Sequence, residues 1–392
     1  MKKTWLFVTP LSLDAIGGVA RVVNALAAEM HQVSLNDVDW KPMVFVLDWQ
    51  ALYPVSEIRN GVSCVRCRVP PPDMITGGKQ AALKPLYALQ YLLLKRFLRR
   101  HNVGVVNVHY VTPMSFALIK VARQLGIKVI ASFHGADLAE IESASTAPTF
   151  WPEYLDMCDV LVGCSNNYAE RLRRSITSIN ADLAKKVTAV ANGIDINAMA
   201  LADKGAVWPE HFIQQSLVVS VGTFEHKKGH DTLIRAFAQV ASELQDTHLV
   251  IVGRDGPEYQ ALELLVESLG LAGRVTLLKN CPYPKVLALY CLATLYVSAS
   301  RVEPFGLVMA EAGLASLPVV ATKTDGATEL LAHRQTGWLV DIDDVLSLSK
   351  AIVYLLNDND NGGRGELAES LQRSVTRSLS WRKALDAYLA LA

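Results

Sequence analysis

Apolar residues along the chain fall into two kinds of run. Short β-branched runs, Trp5–Val8, Met43–Leu47, Val105–Val108, Lys128–Ser132 and Val160–Cys164, read as strands, and longer stretches with helical spacing separate them. Strands that are apolar along their whole length are buried on both faces, which calls for a parallel sheet covered by helices. The pattern lapses in the polar stretch around Asp195–Ser216 and restarts with Leu217–Val221, Thr247–Val252, Arg274–Leu278, Ala293–Val297 and Pro318–Ala321. Two doubly wound, Rossmann-like α/β domains are predicted. The first spans 1–205 and the second 206–375, with the apolar, helically spaced segment 376–392 free to pack on either. Glycines at Gly17-Gly18, Gly222, Gly253 and Gly256 stand where strands meet helices, which is where such sheets place ligands. The cleft between the domains is therefore the place to expect a site.

Composition narrows this picture without changing it. At roughly 150 residues per domain, 392 residues leave room for two or three domains. Apolar residues make up 51% and charged residues 19%, a balance that favours a large core over disorder. Lys plus Arg and Asp plus Glu both number 38, so no global field recruits nucleic acid. The start, Met1-Lys2-Lys3 followed by Trp5–Val8, reads as a buried strand and not as a signal peptide, because Pro10 and Asp14 end the apolar run. No stretch has the ~18 consecutive apolar residues of a membrane span. A cytoplasmic protein is expected. The helix Leu83–Leu98 ends in Lys95, Arg96, Arg99 and Arg100, which suits either a helix C-terminus or contact with the inner face of a membrane. Cys64 and Cys67 form a lone C-x2-C pair, which reads as two thiols and not as a zinc site.

The most informative stretch is Arg301-Val302-Glu303-Pro304-Phe305-Gly306-Leu307-Val308-Met309-Ala310-Glu311. Pro304 and Gly306 favour a loop, and Leu307–Leu314 has helical character. The backbone N–H groups of Phe305, Gly306 and Leu307 would then be free at a helix N-terminus, a seat for phosphate. Glu311 lies about two turns beyond Glu303, too far to share a proton with it, so the two do not form an acid/base dyad. One carboxylate for a sugar ring and one for a ribose is chemically sensible, since each accepts two hydroxyl donors. The bland reading of Glu311 is an exposed helix residue.

This stretch, with Ala315–Thr322 and Gly337-Trp338-Leu339-Val340, resembles the donor site of the retaining GT-B glycosyltransferases of family 4, the glycosyl transferases group 1. The resemblance extends in order over nearly the whole chain. It takes in Gly17-Gly18-Val19, His134-Gly135, Asn192-Gly193-Ile194-Asp195, Val221-Gly222-Thr223, Lys228-Gly229, Gly253–Pro257 and Ser380-Trp381.

The resemblance implies an enzyme that moves a sugar from a nucleotide-sugar donor, a UDP- or GDP-sugar, to a hydroxyl of a glycan or lipid-linked acceptor. Polysaccharide, lipopolysaccharide or glycolipid assembly is the implied setting. Catalysis falls to Glu303, His134 and Lys228. The donor is bound by Gly18, Thr223, Lys227, Lys228, Glu303, Phe305, Gly306, Leu307 and Glu311, with Glu303 at the sugar and Glu311 at the ribose. Gly17 and Asp137 face the acceptor, or Asp137 orients its loop. His109 also ends a strand but ranks below His134. Thr223 departs from the family, which often has Arg there, and Lys227 is a candidate replacement. The implied mechanism is front-face substitution in which the leaving diphosphate takes the acceptor's proton, with no dedicated base. Three Asp-x-Asp pairs, Asp37/Asp39, Asp341/Asp343 and Asp358/Asp360, read as solvated loops, so no metal and no cofactor is expected. A Rossmann oxidoreductase lacks its Gly-x-Gly-x-x-Gly. The rivals left standing are a nucleotide-sugar epimerase of the same architecture and a catalytically degenerate nucleotide-sugar-binding protein.

Overall fold

The computed structural model describes residues 2–14, 17–35, 39–48, 50–51, 53–69, 80–143, 150–357 and 362–392. Asp37, Asp358 and Asp360 lie outside them. The chain divides into two compact units, Met1–Gly193 together with Trp381–Ala392, and Ile194–Ser380.

The first unit is built on β1 (Lys3–Thr9), β2 (Trp40–Leu47), β3 (Val55–Arg59), β4 (Val62–Cys67), β5 (Val103–His109), β6 (Lys128–Phe133), β7 (Val160–Gly163) and β8 (Val187–Ala189). Their order across the sheet is β3-β4-β2-β1-β5-β6-β7-β8, parallel throughout except for the β3–β4 hairpin. Trp5, Leu6, Phe7 and Val8 of β1 are all fully buried, as a central strand covered on both faces must be. The helix Gly18–Ser34 covers one face with Val22, Val23, Leu26 and Met30, an i, i+4 stripe. The helix Trp381–Leu389 packs against it. Three strands of this sheet, β3, β4 and β8, are absent from the sequence reading, as is β14 of the other. β3 is largely exposed and β8 has three residues, so neither shows a long apolar run. The signal that was there is Asn60-Gly61 at positive φ of 49° and 78°, a two-residue hairpin turn joining β3 to β4.

The second unit carries β9 (Ser216–Val221), β10 (Thr247–Gly253), β11 (Val275–Lys279), β12 (Leu295–Ser298), β13 (Val319–Thr322) and β14 (Trp338–Val340), in the order β11-β10-β9-β12-β13-β14. All pairs are parallel. Its core joins Val218, Leu249, Ile251 and Val297 of the strands to Leu233, Ile234 and Phe237 of helix His230–Glu243 and to Leu348, Ile352 and Leu355 of helix Val345–Leu356.

The boundaries differ from the expected 205/206 and 375/376. Residues 194–205 belong with the second unit because the short turn Ala198–Leu201 packs on helix Tyr283–Leu292, and the Asp203 N–H donates to the Pro284 carbonyl at 3.0 Å. Helix Gly362–Ser378 stays there as well, since Leu371 and Val375 lie over Gly313, whose missing side chain leaves them room.

In each sheet the order reverses once, between β1 and β5 and between β9 and β12. Connections leave such a point toward opposite faces, so the carboxyl ends of the two strands stay open to a ligand.

Candidate functional site

At the carboxyl ends of β9, β10 and β12, neighbouring loops are packed through glycines. A side chain on Gly253 would meet the Gly222 carbonyl oxygen at 1.9 Å, and one on Gly229, which has φ of 61°, would meet that of Ala299 at 2.0 Å. This close packing sets Lys228 against Glu303. The Lys228 ammonium donates to Oε2 of Glu303 at 2.6 Å, and the two side chains are only 17% and 12% exposed. The Gly306 N–H donates to Oε1 at 3.1 Å. Gly306 has φ of 91°, and a Cβ there would strike the end of Met309, so this turn tolerates only glycine.

That bond corrects the expected anion seat. Gly306 is not free, because Glu303 already holds its N–H, and the Gly306 carbonyl in turn accepts from Met309 and Ala310. Among the described residues no protein acceptor meets the N–H groups of Phe305 and Leu307, so the open seat has two expected donors and not three. Phe305 itself is buried, and its backbone lies where a side chain on Gly326 would be, at 2.4 Å. Gly326 also donates its N–H to the Glu303 carbonyl at 2.7 Å. It is a supporting residue that the motif did not name.

Glu311 is 2% exposed, against the bland reading of a solvated helix position, and its Oε1 accepts from the Tyr283 hydroxyl at 2.9 Å. A buried carboxylate needs such partners. Tyr283 was missed, since it is 28 positions away with no motif around it.

Arg301 is a further residue to which the sequence reading gave no role. Its guanidinium makes a two-pronged contact with Asp231 at 2.8 and 2.9 Å, reaches Asp343 at 2.8 Å, and donates to the His226 carbonyl at 2.8 Å. Its own N–H donates to the Lys227 carbonyl at 2.8 Å. The loop holding Lys228 and the loop holding Glu303 are thus tied at two levels, side chain and backbone. Asp343 is accordingly not a freely solvated residue. It also accepts from Thr232 Oγ1 at 2.7 Å, and Arg301 beside it holds its carboxyl below the usual range against the opposing effect of burial. Asp341 pairs with Lys323 at 2.8 Å.

Thr223 is half-buried at the end of β9, and the Lys227 ammonium lies 2.5 Å from Glu225. Arg254, at 3.6 Å from the same carboxylate, adds a second cation to this rim.

In the first unit the carboxyl ends of β5 and β6 bring His109 and His134 together, with His109 Nδ1 3.1 Å from His134 Nε2. Burial lowers the His134 imidazole to about 4 and holds His109 well below its ordinary value, so both rings are neutral at pH 7. Gly135 has φ of 141°, open only to glycine, which accounts for the His-Gly pair. Asp137 is fully buried. Its carboxylate accepts from the N–H groups of His134, Gly135, Leu138 and Val111 at 2.8 to 3.2 Å. Each oxygen already has N–H donors from this loop or from Val111, an arrangement suited to the alternative in which Asp137 orients the His134 loop. Gly17 and Gly18 are exposed at the start of helix Gly18–Ser34, and a side chain on Gly17 would meet nothing within 4 Å. Gly17 has φ of 170°, extended backbone that any residue adopts.

Among the described residues no three His, Cys, Asp or Glu side chains gather as a metal site, and no helix is long and apolar enough to cross a membrane.

Two doubly wound, mainly parallel sheets, each with polar residues at the carboxyl ends of its central strands, fit a GT-B architecture, and comparison with known proteins gives the same class. The model of glycosyl transferases group 1 matches residues 209–375, and that of Glycosyltransferase Family 4 matches residues 16–198. The chain belongs to the group 1 glycosyltransferases of the GT-B fold. It is 25% identical to N-acetyl-alpha-D-glucosaminyl L-malate synthase of Bacillus anthracis, over 74% of each chain. It is 27% identical to a GDP-mannose-dependent alpha-(1-6)-phosphatidylinositol monomannoside mannosyltransferase of Mycolicibacterium smegmatis, over 68% of this chain and 70% of that one. Among solved structures it resembles sucrose-phosphate synthase from Thermosynechococcus elongatus (TM-score 0.74, 20% identity, 100% of this chain and 98% of that one). It also resembles Anabaena HepE in complex with UDP and glucose (TM-score 0.73, 17% identity, 99% of each). The protein is a glycosyltransferase.

Proposed function

We propose that the chain is a retaining, metal-independent hexosyltransferase that takes its sugar from a UDP- or GDP-sugar. The observation that carries this reading is the Glu303 carboxylate, held on one side by Lys228 and on the other by the Gly306 N–H at the open ends of β9 and β12. Ile194–Ser380 binds the donor. Glu303 orients the sugar, Lys228 with the N–H groups of Phe305 and Leu307 takes the diphosphate, and Glu311, steadied by Tyr283, receives the ribose hydroxyls. His134 in the other unit, which holds the acceptor, accepts a hydrogen bond from a sugar hydroxyl. The bond from the anomeric carbon to the diphosphate breaks as the acceptor oxygen bonds to the same face. The acceptor's proton passes to the departing diphosphate oxygen, whose growing charge Lys228 offsets. No side chain need act as base.

Glycan or glycolipid assembly is supported by the relatives. The phosphatidylinositol mannosyltransferase among them acts on a lipid, and helix Gln80–Arg100 adds an observation for this chain. Leu89, Leu92 and Leu93 are 51 to 62% exposed, and at 100° per residue they share one face with Arg96, Arg99 and Arg100. Exposed leucines beside arginines suit an anionic membrane surface.

The test is a thermal-shift panel of UDP, GDP, ADP and their sugar conjugates in EDTA, on the native protein and on Glu311→Ala, with the product's anomeric configuration read by NMR. Stabilisation by one nucleotide, weakened in the variant, and a retained anomer are expected. No stabilisation by any of them, or an inverted anomer, overturns the reading.

A further inference from the structure

His134 stands at one end of a buried chain of side chains. His109 Nδ1 faces His134 Nε2 at 3.1 Å, and His109 Nε2 faces Asn107 Oδ1 at 3.0 Å. Asn107 Nδ2 donates to Ser132 Oγ at 2.9 Å and points to the Ile130 carbonyl at 3.5 Å. The Tyr388 hydroxyl, from the C-terminal helix Trp381–Leu389, donates to the same Ser132 oxygen at 2.9 Å. Asn107, His109, Ser132 and Tyr388 are all 2% exposed or less.

The proton positions along this chain are determined one from the next. A carbonyl can only accept, so the Asn107 group near Ile130 is its NH2, and its Oδ1 is the atom facing His109. His109 must then carry its proton on Nε2. In a neutral ring that leaves a lone pair on Nδ1, which can only accept from His134. His134 is therefore protonated on Nε2, and its Nδ1 is a bare acceptor. Among the described residues no protein group meets that atom, and His134 is partly exposed.

We propose that Asn107 and His109 are positioning residues that fix the tautomer of His134, so that its Nδ1 accepts a hydrogen bond from a substrate hydroxyl and cannot donate one. Ser132 and the Ile130 carbonyl hold Asn107 in the orientation this needs, and Tyr388 of the returning C-terminal helix closes the far end of the chain on Ser132 without setting that orientation. The link to substrate rests on the reading that His134 contacts the sugar. The tautomer itself does not, since it follows from the first unit alone.

The experiment is imidazole 15N–1H correlation NMR on the full chain labelled at histidine, at pH 7.5, with the His134 and His109 signals assigned from His134→Gln and His109→Gln. Both rings are expected wholly in the Nε2–H form. In Asn107→Leu, which has similar volume and no acceptor, the Nδ1–H form of His134 is expected to appear, with transfer at saturating donor falling about tenfold, the scale of one lost hydrogen bond. Tyr388→Phe keeps the Asn107 acceptor and is expected to keep the Nε2–H form. A native His134 found as Nδ1–H or as a mixture overturns the proposal without need of any variant. So does an Asn107→Leu protein with native tautomer and native rate. If His134→Ala transfers sugar as the native protein does, the sugar contact fails while the tautomer result still stands by itself.

Discussion

The two polar clusters are organised by opposite means. The one at β9 and β12 is ionic. Lys228 pairs with Glu303, and Arg301 with Asp231 and Asp343, over distances of 2.6 to 2.9 Å. The one at β5 and β6 holds neutral rings and hydroxyls, and its single carboxylate, Asp137, is surrounded by backbone N–H groups. In the proposed reaction Lys228 exchanges only part of its contact with Glu303 for the diphosphate, because the largely buried carboxylate keeps just the Gly306 N–H if the ammonium leaves it altogether. A neutral relay offers no such exchange. What it gives is direction, because each ring nitrogen faces one partner and the last atom's role follows from the first. An anionic leaving group and an uncharged hydroxyl are accordingly matched to different surroundings.

Changes in the ionic cluster should cost the most. Glu303→Ala removes the group proposed to orient the sugar and takes from Lys228 its carboxylate partner. Turnover is expected to fall about 100- to 1,000-fold, with donor binding much less affected, when initial rates and calorimetric affinities are compared. A rate within tenfold of native would move the sugar contact elsewhere. Arg301→Ala unties the two loops, with an expected loss on the order of 2 kcal/mol in urea unfolding and about tenfold in rate. Arg301→Lys keeps the charge without the two-pronged contact and should recover only part of either.

The neutral cluster should reveal itself through acid. Burial lowers His134 in this cluster to about 4, and does the same to His230 in the second unit, while an unfolded chain takes up those protons near 6.5. Between pH 6.5 and 4 the unfolded state binds more protons, so this part of the stability is complete above 6.5 and is lost as pH falls toward 4. Burial lifts Asp137 to about 6 against the pull of its N–H donors, which works the other way between 6 and 3.8 and offsets only part of the loss. Urea midpoints should therefore drop from pH 7 to pH 5, and His134→Gln should flatten the drop. A midpoint that rises on acidification contradicts this account. The smallest effect is expected at Lys227, whose side chain is 46% exposed and already paired with Glu225. Lys227→Ala should change the donor KM by less than about threefold, and a larger rise would mark it as the replacement for the arginine absent at Thr223.

Much of this was visible in the sequence. The fully apolar runs gave ten of the strands because a sheet buried on both faces leaves an unmistakable pattern, whereas β3, mostly exposed, left none. Glu303 and Gly306 were legible in a local loop-to-helix segment with its own turn chemistry, whereas Lys228 and His134 were singled out through the resemblance to the family. Tyr283, Gly326 and the Asn107–His109 relay were not, although every one of them touches a residue that was.

The sequence by itself determined the two doubly wound units, their glycine turns and the family, since periodicity and turn geometry are decided within a few residues. Tertiary structure alone decided the partners. Arg301 meets Asp343 across 42 positions and Tyr388 meets Ser132 across 256. Such pairs leave no spacing to read, because what joins them is the buried polar atom's need for a partner once packing has excluded water.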